Sequence, residues 1–336
     1  MSTTNYQIRL RERPTGIPEP ETFSAHESPV EPPQDGDVLL ETLYLSVDPA
    51  MRVWIGDNPG YVEPVAVGDV MRAGGIGRVV ESRYDGLQPG DVVQGRLGWQ
   101  SHPTLSGQEL QKLDLELGSV LDWMGPLGGT GLTAYFGFFE VGQAKPDDVV
   151  LVSAAAGGVG QMVCQIAKLY GCRTIGIAGG PEKCAFISHE FGLDGVIDYK
   201  ATADPDAAIK THSATGIDLY FDNVGGPMLD AAIQNLRTGG RVTLCGRISQ
   251  TAASELYGVR NIGLLIGKRA CLAGFIVSDF SDQFTEARQW LSQHVKAGRI
   301  RQKLHLLDGL SQAPEGLQML FRSANFGKLI IKVKDA

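Results

Sequence analysis

Hydrophobic and polar positions change rhythm once along the chain, near Pro126. Before it, apolar residues fall in short, β-branched runs: DVLLETLYLSVD (37–48), IGRVVESR (76–83) and DVVQGRLGW (91–99). Turn-forming stretches such as PPQDGD and QPGD separate them, so this third predicts an irregular β-rich segment of short strands. From Val149 onward, short apolar runs alternate with longer patterns of helical period. VVLVSA leads into GQMVCQIAKLYG, and RTIGIAG into PEKCAFISHEFG; DGVIDY, IDLYFDNV and RVTLCGRI follow. Strands that alternate with helices predict a doubly wound parallel sheet with right-handed crossovers and helices on both faces. RACLAGFIV (269–277) predicts a sixth strand and FSDQFTEARQWLSQHVKAG (280–298) a long amphipathic helix. The tail, LQMLFRSANFGKLIIKV, ends as an apolar strand. It either continues the sheet or returns to the first segment, and periodicity does not choose.

A chain of 336 residues fits two domains, because single cores seldom exceed roughly 250–300 residues. The net charge of −8 argues against a nucleic-acid partner, which requires a basic surface. The first residues are too polar for a signal peptide, and no run approaches the roughly 20 apolar residues of a membrane helix. A cytoplasmic protein without a membrane partner is expected. Cys164, Cys172, Cys184, Cys245 and Cys271 are scattered and never spaced C-x-x-C. They read as buried small hydrophobes rather than as disulfides or zinc ligands.

The chemistry concentrates in VLVSAAAGGVGQ (150–161). An apolar strand before it and a helix after it meet the context of the dinucleotide fingerprint G-x-G-x-x-G, with Ala155 at the first position. Gly157 lets the backbone approach a pyrophosphate, Gly160 lets helix and strand pack closely, and the helix N-terminus offers N–H donors. The other reading is a turn that is glycine-rich for packing alone. NAD-binding units carry an acid about 20 residues further on. Here Ala178, Gly179 and Gly180 occupy that strand end, and the nearest acid, Glu182, lies beyond a proline. Lys183 is either a 2′-phosphate ligand or a solvated helix lysine. The pattern leans to NADP(H).

Nothing suggests a metal. The segment before Pro126 contains no cysteine and only His26 and His102, too few for a catalytic zinc site. Neither G-x-S-x-G nor H-E-x-x-H occurs, and His189, His212, His294 and His305 read as surface residues. Hydride transfer without a metal is what is left.

Eight stretches appear together and in order: LSVDPAMR (45–52), GLTAYFG (131–137), AAAGGVGQ (154–161), GGPEK (179–183), FDNVGG (221–226), LCGRIS (244–249), GFIV (274–277) and ANFGK (324–328). With them the chain resembles the zinc-independent medium-chain reductases that include prostaglandin reductase and the alkenal/one double-bond reductases. The resemblance implies a GroES-like catalytic domain over 1–125 and 305–336, and a Rossmann NADP-binding domain over 126–304. It also implies NADPH-dependent reduction of the carbon–carbon double bond of α,β-unsaturated aldehydes and ketones, with hydride added at the β-carbon. Carried over by position, Gly157, Gly158, Val159 and Gly160 hold the pyrophosphate, and Lys183 and Tyr199 meet the 2′-phosphate. Asn223, Cys245, Gly246, Arg247, Ile248, Ser249, Phe275, Ile276, Val277 and Asn325 line the rest of the cofactor, and Thr133 sits near the nicotinamide. Read singly, Tyr199 is a strand-end surface aromatic and Asn223 a cap for the helix after Val224. Phe275–Val277 is an ordinary buried strand, and Thr133 a helix residue bonding its own backbone.

Three positions depart from the family pattern. Ala50 stands where many members have tyrosine, GGTG stands for G-M-P-G, and Gly267 aligns with a tyrosine of the prostaglandin reductases. Ala50 and Gly267 both remove bulk, which points to a roomier or differently shaped substrate pocket. A donor to the substrate oxygen would come from the ribose, the backbone or a tyrosine, with Tyr61 and Tyr257 the candidates because both lie in loops. Each reads equally as a surface or packing tyrosine. Alternatives are a quinone reductase of the zeta-crystallin-like branch and a non-catalytic NADPH-binding redox sensor. The family also implies a homodimer with sheet edges meeting across a two-fold axis.

Overall fold

The computed structural model describes residues 4–336. Two compact units form. The first comprises residues up to Met124 with Leu304–Asn325 and Leu329–Ala336; the second comprises Gly125–Lys303 with Phe326–Lys328.

The first unit begins with β1 (Thr4–Leu10) and β2 (Phe23–Pro29), an antiparallel pair. β3 (Asp37–Ser46) follows, then the short helix α1 (Ala50–Trp54), β4 (Gly75–Ser82), β5 (Val92–Gly95), β6 (Thr104–Ser106), β7 (Gln111–Lys112) and α2 (Val120–Trp123). β3 is its spine: Val38, Leu40, Leu43 and Leu45 are fully buried.

The second unit contains α3 (Gly129–Phe136), β8 (Val149–Val152), α4 (Gly158–Leu169), β9 (Arg173–Ala178), α5 (Pro181–Phe191), β10 (Gly195–Asp198), α6 (Pro205–His212) and β11 (Ile217–Asp222). α7 (Pro227–Asn235), β12 (Leu236–Leu244), α8 (Ile248–Thr251), α9 (Leu264–Lys268), β13 (Cys271–Gly274) and α10 (Phe284–Lys296) complete it. All its strands are parallel, in the order β10-β9-β8-β11-β12-β13. That is the Rossmann arrangement, in which the order reverses between β8 and β11 and a crevice opens at the strands' carboxyl ends.

The chain then returns to the first unit with β14 (Leu304–Asp308), α11 (Ala313–Phe321) and β15 (Lys328–Lys332). β15 runs antiparallel to β3, with Ile330 opposite Ser46 and Ile331 opposite Leu45. The apolar tail therefore extends the first sheet rather than the second.

β8 is buried along its whole length, as expected for a central parallel strand. α4 packs on it with Met162, Val163, Cys164, Ile166 and Ala167 buried. Its two buried glutamines, one turn apart, hold a passing backbone. Gln161 accepts from Lys303 N (2.8 Å) and donates to Lys303 O (3.2 Å); Gln165 does the same with Arg301 (2.8 and 2.8 Å). Each amide thus finds both partners that burial requires.

Three sequence expectations shift. The sixth strand ends at Gly274, so Phe275–Val277 is not a buried strand: Ile276 is 39% exposed and a 3-10 turn starts at Val277. The long helix begins at Phe284 because that turn, bent at Phe280, takes up the residues before it. Cys164 and Cys172 are buried, but Cys184 and Cys245 are only partly so and Cys271 is exposed, because β13 is the sheet's edge. Among the described residues no helix is long and apolar enough to cross a membrane, and no three His, Cys, Asp or Glu side chains gather as metal ligands.

Candidate cofactor site

The site grows from the turn after β8. Ala155, in the turn after β8, donates its N–H to Ile177 O (2.9 Å) and does not take up a positive φ, so the first fingerprint position tolerates a side chain. Ala154 makes the tight turn instead, with φ of +49°, a left-handed conformation that costs a non-glycine residue roughly 1–2 kcal/mol. Its carbonyl accepts from Gly157 N at 2.8 Å. A Cβ on Gly160 would lie 2.2 Å from that same oxygen, so only glycine lets α4 come so close. Gly157 caps α4 without a side chain, and the first helical bond runs from Gln161 N to Gly157 O. The N–H groups of Gly158, Val159 and Gly160 therefore have no partner within the helix. With the helix dipole they suit a pyrophosphate.

The second patch lies after β9 and β10. Gly180, with φ of +92°, caps α5, and Pro181 opens that helix. Lys183 sits in its first turn, half-buried. Burial lowers its pKa first, and the ammonium of Lys200 lowers it further, against the pull of Glu182. Lys200 is a second cation here that the sequence reading did not find. Its signal was only its place directly after Tyr199. A Cβ on Gly179 would lie 2.5 Å from Tyr199 Cε1, so the glycine lets the ring lie against the loop. Asp198, the acid at the end of β10, accepts from Gly180 N and Lys200 N, both at 2.9 Å. It fastens the two loops together. No carboxylate ends β9, and two lysines and a tyrosine do line the patch, so the residues present fit a 2′-phosphate.

The third patch follows β11 and β12. Asn223 donates from Nδ2 to Ser153 O (2.8 Å) and from its backbone N to Ser153 Oγ (2.9 Å). It does not cap the next helix: Gly226 is the N-cap of α7. Cys245 and Gly246 donate their N–H groups to Asp222 O, and Ile248 N to Asn223 O. Ser249 donates to Val224 O through both its N–H and its hydroxyl. Burial, reinforced by the nearby Asp222 charge, pushes the Cys245 thiol up to about 12, so it is no nucleophile. Arg247 is exposed at the start of α8. Phe275 packs over Gly137, where a Cβ would lie 2.7 Å from its ring. Thr133 stands one turn earlier on α3, and that helix packs on α4.

The second unit thus gathers Thr133, Gly157–Gly160, Lys183, Tyr199, Asn223, Cys245–Ser249 and Phe275–Val277 around the ends of its strands. Asn325 and Tyr61 belong to the first unit. Tyr61 is 47% exposed and its hydroxyl accepts from Trp54 Nε1 at 2.8 Å, which leaves its proton to give. Tyr257 donates its proton to Asp230 Oδ2 at 2.6 Å, and that bond raises its pKa. Asp230 also accepts from Arg260 N and Asn261 Nδ2, so Tyr257 fastens a loop onto α7. Gly267 lies exposed on α9 with no neighbour within 4 Å of an added Cβ.

Residues 6–113 match the family model described as the N-terminal domain of oxidoreductase, and 158–293 match that of zinc-binding dehydrogenase. The chain is 40% identical to the NADPH-dependent curcumin reductase of Escherichia coli over 96% of this chain and 95% of that one. It is 37% identical to the NADP(+)-dependent 2-alkenal reductase of Nicotiana tabacum over 98% of both. The crystal structure of CurA from Vibrio vulnificus in complex with NADPH superposes with a TM-score of 0.93, at 37% identity, over 98% of this chain and all of that one.

Gly160→Ala is expected to cost about 1–3 kcal/mol in urea denaturation, the range for forcing a methyl into packed backbone. It should also weaken NADPH binding at least tenfold, read by titration.

Proposed function

The chain belongs to the medium-chain dehydrogenase/reductase superfamily and, within it, to the alkenal/prostaglandin reductase family; on that footing we propose that it reduces the carbon–carbon double bond of enals and enones at the expense of NADPH. The observation that carries this is full-length likeness to NADPH-dependent double-bond reductases, joined to a strand end without the acid of an NAD site and with Lys183 and Lys200 in the segments beside it. Bound NADPH supplies the hydride that adds to the β-carbon. The protein's own part is positioning and electrostatics. The first turn of α4 holds the pyrophosphate, and Lys183, Tyr199 and Lys200 hold the 2′-phosphate. Asn223, Cys245–Ser249, Phe275–Val277, Asn325 and Thr133 line the rest of the cofactor. For the donor to the substrate oxygen we favour Tyr61 over Tyr257, because only Tyr61 keeps its proton uncommitted.

A homodimer is part of the proposal. β13 has one strand neighbour, and its outer edge is unpaired in the sheet order. Near it in sequence, Leu256 is 70%, Ile262 54% and Ile266 84% exposed. An open edge flanked by exposed large hydrophobics favours pairing, and a second copy across a two-fold axis supplies a matching edge. All five cysteines are unpaired thiols, which suits a reducing compartment and a cytoplasmic enzyme.

NADPH absorbance is expected to fall when the protein meets a 2-alkenal or an alkyl enone. No turnover across a panel of both, with NADPH bound, contradicts the reading. Lys183→Ala should raise the Kd for NADPH about tenfold or more, the loss of one charge-assisted bond, and leave that for NADH within about twofold. Light scattering should give twice the 36.0 kDa chain mass, and Ile266→Glu should shift it to the monomer; a monomeric parent protein contradicts the dimer.

A further inference from the structure

Asp222 ends β11 fully buried, and its hydrogen bonds reach three strand ends. Its main-chain oxygen takes Cys245 N (2.9 Å) and Gly246 N (3.0 Å), at the exit of β12. Its side-chain Oδ1 takes four donors: Val224 N and Gly225 N at 2.9 Å, Tyr220 Oη at 2.8 Å and Ser153 Oγ at 3.2 Å. Ser153, at the exit of β8, in turn holds Asn223 by its hydroxyl and its carbonyl. The two glycines after Val224 both adopt positive φ, +71° and +65°, and the N–H of the first reaches Oδ1. Among the described residues Oδ2 is buried without a hydrogen-bond partner. Burial raises the carboxyl's pKa against the pull of its donors, so no strong cation compensates this group. A core carboxyl in such a setting is costly, and an apolar residue would fill the same volume without that cost. What the side-chain oxygen provides is one acceptor point at which the turns after β8 and β11 converge.

We propose that Asp222 is the positioning residue of the cofactor cradle: through the acceptor Oδ1, rather than through its charge, it holds Asn223 and Val224, on whose carbonyls Ile248 and Ser249 rest, in the shape that receives NADPH. The inference rests on the NADPH reading of the site. The Asp222 side chain fixes the turns after β8 and β11, and the 245–249 loop rests on the second of them, so its loss frees two turns directly and the third through them. An asparagine in its place keeps an oxygen at the Oδ1 position and all four bonds. An alanine orphans Val224 N, Gly225 N and the Tyr220 hydroxyl and leaves the Ser153 hydroxyl only its longer bond to Phe221 O (3.4 Å).

The test compares NADPH Kd, from quenching of protein fluorescence, with the melting temperature of the ligand-free chain. The variants are Asp222→Ala, Asp222→Asn, Ser153→Ala and a destabilised core control, Ile209→Ala. Asp222→Ala is expected to raise Kd at least thirtyfold and Ser153→Ala about tenfold. Asp222→Asn should stay within threefold, and Ile209→Ala within twofold despite its lower melting temperature. Should Asp222→Ala not fold, Ser153→Ala and Asp222→Asn carry the test. The inference is overturned if folded Asp222→Ala or Ser153→Ala binds within twofold of the parent. It is equally overturned if Asp222→Asn loses as much as alanine, or if Ile209→Ala loses as much as either. If the parent chain itself does not bind NADPH, the proposed function fails instead.

Discussion

The main-chain oxygen of Ala154 lies 2.2 Å from where a Cβ on residue 160 would stand, so α4 presses onto the turn after β8 only because residue 160 is glycine. The rest of the second unit depends on that close approach. It puts the free N–H groups of the first helical turn at the place where the strand order reverses. It also fixes the line of Gln161 and Gln165, whose amides hold residues 301 and 303. The backbone strain of the turn falls on Ala154, not on the fingerprint's first position. That is why Ala155 replaces a glycine without damage to the loop.

Electrostatics then select the nucleotide. Burial, and then the neighbouring Lys200 charge, lower the tendency of Lys183 to hold a proton, and an anion placed beside it relieves that. The acid that does stand nearby, Asp198, is engaged by two backbone N–H groups. It binds loop to loop, where the acid of an NAD site would bind a ribose. Around the other end of the crevice the same economy recurs: Asp222 and Ser153 hold backbone, and the backbone forms the surface.

Much of this was legible in the sequence because period and punctuation carry it. The alternation after Val149 foretold the six parallel strands, and AAAGGVGQ foretold the tight turn from β8 into α4. One lone residue was legible only by what was missing: Lys183 stood out because no acid ended β9. Other features had no local signal. Phe275–Val277 is apolar enough for a strand, yet β13 stops at Gly274 because the chain turns there into a 3-10 segment. Asp222 looked like part of a motif, and its four-donor role depends on contacts with Ser153, 69 residues away. The tail's apolar pattern suited either sheet, and only its pairing with β3 assigns it. Side chains whose meaning lies in long-range hydrogen bonds leave no periodic trace.

Hydride delivery to the β-carbon rather than to the carbonyl carbon is the central claim, and isotope placement tests it most directly. NADPH carrying deuterium at C4 would be turned over with a 2-alkenal, each C4 position labelled in turn, and the product read by mass spectrometry and NMR. The expected product is the saturated aldehyde with one deuterium at the β-carbon from one of the two labelled forms. Deuterium on the carbinol carbon of an allylic alcohol would contradict it.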